Sequence, residues 1–148
     1  MRRSWAILLP VLLASCISDP KESLDTKTWA TKKAGLASFS YKLSRPCFCL
    51  PEDVGPFLVR ATPDSVLEVR RIEYPSDTFL VTEEIQSYSI DSAIAQVAHE
   101  LAKKHASATL RYDSTYGFPE HVYIDFNTHM ADEEYALDIA DFEATLKD

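Results

Sequence analysis

Glycine is scarce: Gly35, Gly55 and Gly117 are the only three in 148 residues. No glycine-rich loop is therefore available to cradle a phosphate through successive backbone amides, and no G-x-S-x-G elbow occurs to present a nucleophilic serine. Positive charge is also in short supply, with 15 Lys and Arg against 23 Asp and Glu and a formal net charge of −8. Such a chain has no electrostatic reason to seek nucleic acid or anionic lipid head groups. A membrane-spanning helix needs about 20 apolar residues, whereas the N-terminal run "WAILLPVLLAS" has eleven. Histidines at zinc-protease spacing are missing too. That motif places two of them four apart on one helical face, but His99 and His105 in "HELAKKH" are six apart, about 120° round the helix. Carboxylates are plentiful, yet no pair is set apart as an acid and a base. The composition therefore points away from an enzyme, with no catalytic residue, cofactor or metal expected.

What is present begins with an address. Arg2 and Arg3 precede the apolar run, which is the order of basic and apolar regions in a secretory signal peptide. Its end, "LASC" from Leu13 to Cys16, resembles the lipobox of bacterial lipoproteins. The resemblance implies a signal peptide over 1–15, cleavage before Cys16 and acylation of that cysteine. Buried acyl chains, at about 0.8 kcal/mol per CH₂, would then hold the protein to the bilayer. Ile17, not Asp, follows the cysteine, so the inner-membrane retention signal of such proteins is absent from that position. The expected location is the cell envelope, at the outer membrane facing the periplasm. Residues 16–28 are the lipidated cysteine and a polar tether, "ISDPKESLDTKT", with no apolar period. Loss of Arg2 and Arg3 takes the net charge from −8 to −10. The last 17 residues carry Asp132, Glu133, Glu134, Asp138, Asp141, Glu143 and Asp148 against Lys147, a run expected to form a solvated face.

The remaining segment, 29–148, is about 120 residues long, enough for one modest core. "WATKKAG" suits a short helix ending by Gly35. "SFSYKLS" alternates Phe39, Tyr41 and Leu43 with polar residues, the period of a half-buried strand. "PFLVRAT" and "SVLEVRRIEY" read as a hairpin around Thr62-Pro63-Asp64-Ser65, proline suiting the second turn position. "TFLVTEE" fits a short strand or a loop equally well. "SIDSAIAQVAHELAKKHA" places Ile90, Ile94, Val97, Ala98, Leu101 and His105 near one helical face, capped by Ser89 and closed by Lys103, Lys104 and His105. "SATLRYD" and "EHVYIDF" follow as strands around "STYGFP", and a last strand is expected over 134–142. The expected class is α+β: an antiparallel sheet of about five or six strands packed against one long helix, with a short N-terminal helix.

Two features merit weighing as sites. Tyr112, Tyr116, Phe118 and Tyr123 cluster around Gly117 and Pro119; they are either an aromatic platform for a ligand or a hairpin corner packed on the sheet. Asp113 and Asp125 nearby could share a cation, and hairpin capping explains them equally well. The second feature is "RPCFCLP", with Cys47 and Cys49 one residue apart between Pro46 and Pro51. With Cys16 acylated, these two thiols have only each other, in a compartment that permits disulfides. On a straight strand their Cα atoms would be about 6.6 Å apart, at the upper edge of disulfide geometry. Three readings stay open: a strained disulfide, structural or redox-labile; a soft-metal site of two thiolates; or small hydrophobes without chemistry.

The order of motifs resembles a bacterial domain of unknown function, number 6174. The stretches that carry the resemblance are "FSYKLSRPCFC", "FLVRA", "SIDSAI", "YDSTYGFPEHVYID" and "ADEEYALDI", covering most of residues 38–142. Members look like small exported proteins or lipoproteins, in keeping with the leader. The resemblance implies no activity. The expected function is a non-enzymatic accessory or binding module on a lipid anchor, or alternatively a thiol or soft-metal protein centred on Cys47-Phe48-Cys49. Beyond the bilayer held through Cys16, the sequence specifies no partner.

Overall fold

A computed structural model describes residues 26–47, 50–73, 77–130 and 133–148. Among the described residues, seven strands form one antiparallel sheet: β1 (Leu36–Ser44), β2 (Phe57–Ala61), β3 (Val66–Glu73), β4 (Asp77–Val81), β5 (Ser107–Tyr112), β6 (Pro119–Asp125) and β7 (Tyr135–Leu146). Their spatial order is β4-β3-β2-β1-β7-β6-β5. The chain steps outward by hairpins from β1 to one edge and crosses to the other edge. It then returns through β6, so that its first and last strands pair at the centre. Around the sheet lie α1 (Thr26–Lys33), a single helical turn α2 (Pro51–Val54), a 3-10 turn (Ile85–Tyr88) and α3 (Ile90–Leu101). No described helix is long and apolar enough to cross a membrane.

Two parts of the expected architecture are corrected. The sheet has seven strands, not five or six, because "DTFLV" pairs with β3 as an edge strand, Val69 opposite Val81 and Arg71 opposite Phe79. Among the described residues there is also no long helix. α3 has 12 residues and α1 has eight. Helical periodicity continues past Leu101, but the Ala106 N–H already donates to Asp125 O at 2.7 Å. Pairing with β6 therefore begins where another helical turn would have been. Lys103 and His105 fall outside α3, and Lys103 instead pairs with Glu100 at 2.6 Å. The buried face of α3 is Ile90, Ala93, Ile94 and Val97, while Ala98 is exposed. At its start the Ser89 hydroxyl accepts from Ser92 N, as a cap should.

One face of the sheet makes the core. Phe39, Tyr41 and Leu43 of β1 stand opposite Ala61, Val59 and Phe57 of β2, and Val122 of β6 stands opposite Leu137 of β7. All are buried, together with Trp29, Phe118 and the inner residues of α3. α1 has no apolar stripe and buries only Trp29. That indole meets Phe39 and Phe118 edge-on, at 5.5 and 5.6 Å between centroids. Lys33 adds an ion pair to Asp91 at the start of α3, 2.7 Å long, which at a surface contributes little.

β7 keeps its apolar side inward only by means of a bulge. Tyr135, Leu137 and Ile139 alternate, and then the next ring, Phe142, is one residue late. Opposite β1 the register shifts between Lys42–Ala140 and Ser40–Glu143, and Asp141 takes a left-handed φ of 51°. The extra residue returns Phe142 to the core side, where it lies against Phe39 at 5.6 Å and Phe118 at 4.9 Å. Asp is among the few residues that tolerate this conformation. Its carboxylate meets Lys42 Nζ at 2.7 Å.

Candidate functional site

The opposite face of the sheet has no described helix over it, and none of its described residues is fully buried. Its position relative to "RPCFC" follows from where β1 ends. Beyond Ser44, Arg45 turns to the covered side: its N–H donates to Val54 O at 2.9 Å, its guanidinium donates to Ser87 O at 3.0 Å, and it lies 5.0 Å over the Tyr88 ring. Pro46 and Cys47 then border the uncovered side, beside β6 and β7. They line an open groove of about 430 Å³ together with His121, Tyr123, Glu134, Ala136 and Asp138.

Strand register builds this groove. His121 and Tyr123 are two apart on β6 and so point the same way. Their cross-strand partners on β7 are Asp138 and Ala136. Directly opposite, the His121 Nδ1 and Asp138 Oδ1 are 2.6 Å apart. A carboxylate can only accept, so the neutral imidazole carries its proton on Nδ1 and keeps the Nε2 lone pair. Tyr123 is 39% exposed. Its phenol is pushed above the usual value, by partial burial first and then by the Glu134 and Asp125 carboxylates. Pro46, Ala136 and the Tyr123 ring supply apolar surface, with His121, Asp138 and Glu134 as the polar groups.

Cys47 is disulfide-bonded, and its partner lies outside the described residues. Cys49, the partner expected from the sequence, is outside them too, as is Cys16 with its expected lipidation.

The four aromatic residues do not share one surface. Phe118 is 1% exposed and sits in the core, and Tyr116 packs on Phe142 at 4.7 Å. The Tyr112 hydroxyl is buried, while Tyr123 looks out from the uncovered face. "YDSTYGFP" is a hairpin corner. Asp113 Oδ1 accepts from Thr115 N at 2.9 Å and Tyr116 N at 2.6 Å. Gly117 has a φ of 74°, and a Cβ there would meet the Thr28 side chain of α1 at 2.6 Å. Asp125 likewise accepts from Asn127 N. Among the described residues no group of three or more His, Cys, Asp or Glu is placed to hold a metal; His99, His105 and His129 are exposed singly.

Of the groove, sequence reasoning singled out Cys47 and Tyr123. His121 and Asp138 carried a usable signal, since each alternates with inward apolar residues. Their meeting depends on a register between β6 and β7 that neither strand encodes alone. Within the acidic end, Asp138 and Asp141 have cross-strand partners, while Glu133 and Glu143 are exposed.

No curated protein and no solved structure matches the chain significantly. The model of one family, described as a family of unknown function (DUF6174), matches residues 23–144. That span includes β1, all but the last two residues of β7, the hairpin corner and every residue of the groove. The chain belongs to the family of unknown function DUF6174.

Proposed function

We propose that this protein is a lipid-anchored lipoprotein of the bacterial cell envelope whose domain acts as a non-enzymatic accessory or binding module. Its address rests on Arg2 and Arg3, the short apolar run and "LASC" ending at Cys16. The described domain opens with α1 at Thr26, so residues 17–25 link it to the acylated cysteine. Nine residues reach about 30 Å at full extension, which keeps the domain within about its own diameter of the bilayer. The outer membrane is the favoured one, because Ile17 follows the cysteine.

The observation that carries the binding reading is the one-sidedness of the sheet. Helices and core cover one face, and the other holds an open groove with apolar surface and few polar groups. That composition suits recognition: apolar area supplies affinity, and a few placed polar groups supply orientation.

Cys16→Ser should move the protein from the membrane fraction to the soluble envelope fraction; continued membrane association would remove the acyl anchor. The groove is tested in living cells with a photo-crosslinking residue at position 136, compared with one at exposed position 104. A discrete adduct from 136 alone supports the groove, and its absence there removes the groove as the binding surface.

A further inference from the structure

The uncovered face holds another recess, toward the other end of β1. Ser38, Ser40, Arg60, Leu67, Glu143 and Thr145 line an open space of about 250 Å³. The Lys42–Asp141 ion pair, 2.7 Å long, lies between it and the groove. We infer that this recess binds a free α-amino acid, with Arg60 holding the carboxylate, Glu143 the ammonium and Leu67 an apolar side chain. The site is separate from the groove and stands whether or not the groove captures a partner.

Strand register sets two opposite charges on either side of a serine. Ser40 is directly opposite Arg60 on β2 and directly opposite Glu143 on β7. Arg60 and Glu143 are thus two strand spacings apart, about 10 Å between Cα atoms, and both are exposed. Among the described residues neither makes a hydrogen bond or an ion pair. The register partner of Arg60 on its other side is Glu68, but that carboxylate accepts from Arg70 at 3.0 and 3.4 Å. Arg70 first of all holds the Glu68 carboxyl below its usual range, and Arg60 contributes least. The nearby Lys42 is paired with Asp141. One cation and one anion are therefore left facing the recess. A simple anion there would gain Arg60 and oppose Glu143, and a simple cation would do the reverse. A zwitterion satisfies both. The guanidinium fork can grip a carboxylate through two parallel bonds. The Ser38, Ser40 and Thr145 hydroxyls make no hydrogen bond among the described residues, so they are free to donate to a carboxylate or accept from an ammonium.

Irregular pairing shapes the space. β2 and β3 slip register between Arg60–Glu68 and Ala61–Val66. Leu67 is the extra residue, 58% exposed, and it walls the recess instead of entering the core. β1 and β7 slip on both sides of Ser38–Ser40. Bulges of this kind re-aim side chains and are common beside functional sites. The volume is below the roughly 300–1,000 Å³ of pockets that enclose drug-sized ligands, so the occupant is small. An α-amino acid has that size and carries both charges on one carbon.

The test follows the amide NMR signals of isotope-labelled, detergent-solubilised full-length protein at pH 7 during titration with L-leucine. Saturable shifts should appear at Ser38, Ser40, Arg60, Glu143 and Thr145. Leucinamide lacks the carboxylate and N-acetyl-leucine lacks the ammonium; each should bind about tenfold more weakly, for want of one charge-assisted contact. Glycine, without a side chain for Leu67, should also bind more weakly than leucine. Arg60→Gln should remove the difference between leucine and leucinamide, and Glu143→Gln the difference between leucine and N-acetyl-leucine. A general disturbance of the sheet would not erase discrimination against one probe and keep it against the other. Both residues are exposed, and the wild-type comparison of probes stands without either variant. Shifts that stay linear with concentration, or that lie away from the recess, overturn the inference. Equal binding of the three leucine compounds overturns it as well.

Discussion

Replacing Gly117 by alanine tests whether the "YGFP" corner exists to seat α1. The residue has a φ of 74°, and a Cβ built there lies 2.6 Å from both Cβ and Cγ2 of Thr28. Two costs add. A non-glycine residue held in the left-handed region costs about 1–3 kcal/mol. Forcing α1 away from the corner is an overpacking cost of about 1–3 kcal/mol, because α1 is fixed chiefly by Trp29 and cannot shift without disturbing its rings. The sum is about 2–6 kcal/mol, a large part of the 5–15 kcal/mol typical of a domain. With a urea slope of about 2 kcal/mol/M, the midpoint should fall by about 1–3 M. Trp29 is the reporter, since the only other tryptophan is Trp5 in the N-terminal apolar run. Thr28→Gly removes both clashing carbons and leaves the φ strain, so the double-mutant cycle separates the terms. The expected coupling between positions 28 and 117 is about 1–3 kcal/mol. Additivity within about 0.5 kcal/mol would refute the steric part, and a harmless Gly117→Ala would refute the whole account.

Two tyrosines should respond in opposite ways to loss of the hydroxyl. Tyr41 donates to Tyr88 O at 2.6 Å, so Tyr41→Phe should cost about 1–2 kcal/mol in chemical unfolding. The Tyr135 hydroxyl is buried with no hydrogen-bond partner among the described residues, so Tyr135→Phe should be neutral or slightly stabilising by the same measurement. Burial also pushes the Tyr135 phenol up to about 12, against a lowering from Arg45 and a further rise from Glu100. The unfolded chain ionises this group near its ordinary value of 10.0 while the folded chain does not. Stability should therefore fall as pH rises from about 10 to 12, and Tyr135→Phe should flatten that slope in pH-dependent urea melts. At the β7 bulge, Asp141→Gly should be tolerated and Asp141→Val should cost about 1–3 kcal/mol, because a β-branched residue resists the left-handed φ.

Local patterns were enough to locate most elements. The alternation of Phe39, Tyr41 and Leu43, the Thr62–Ser65 turn and the Ser89 cap all depend on neighbours a few residues away, and each is where its sequence puts it. The reading of "YDSTYGFP" as a hairpin corner was also available locally, through Asp113, Gly117 and Pro119. Two things were not legible in this way. "DTFLV" becomes a strand because β3 offers it a free edge, and α3 stops at Leu101 because β6 competes for the following residues.

The sequence by itself determined the family and the character of most segments, since a motif order and an apolar period are properties of contiguous residues. Tertiary structure decided the strand count, the helix end, the bulge that returns Phe142 to the core, and the groove. His121 meets Asp138 across 17 positions, and both share a recess with Cys47 only because β1 pairs with β7 and β7 with β6. Register is a property of paired strands, and a one-residue slip would send every one of these side chains to the opposite face.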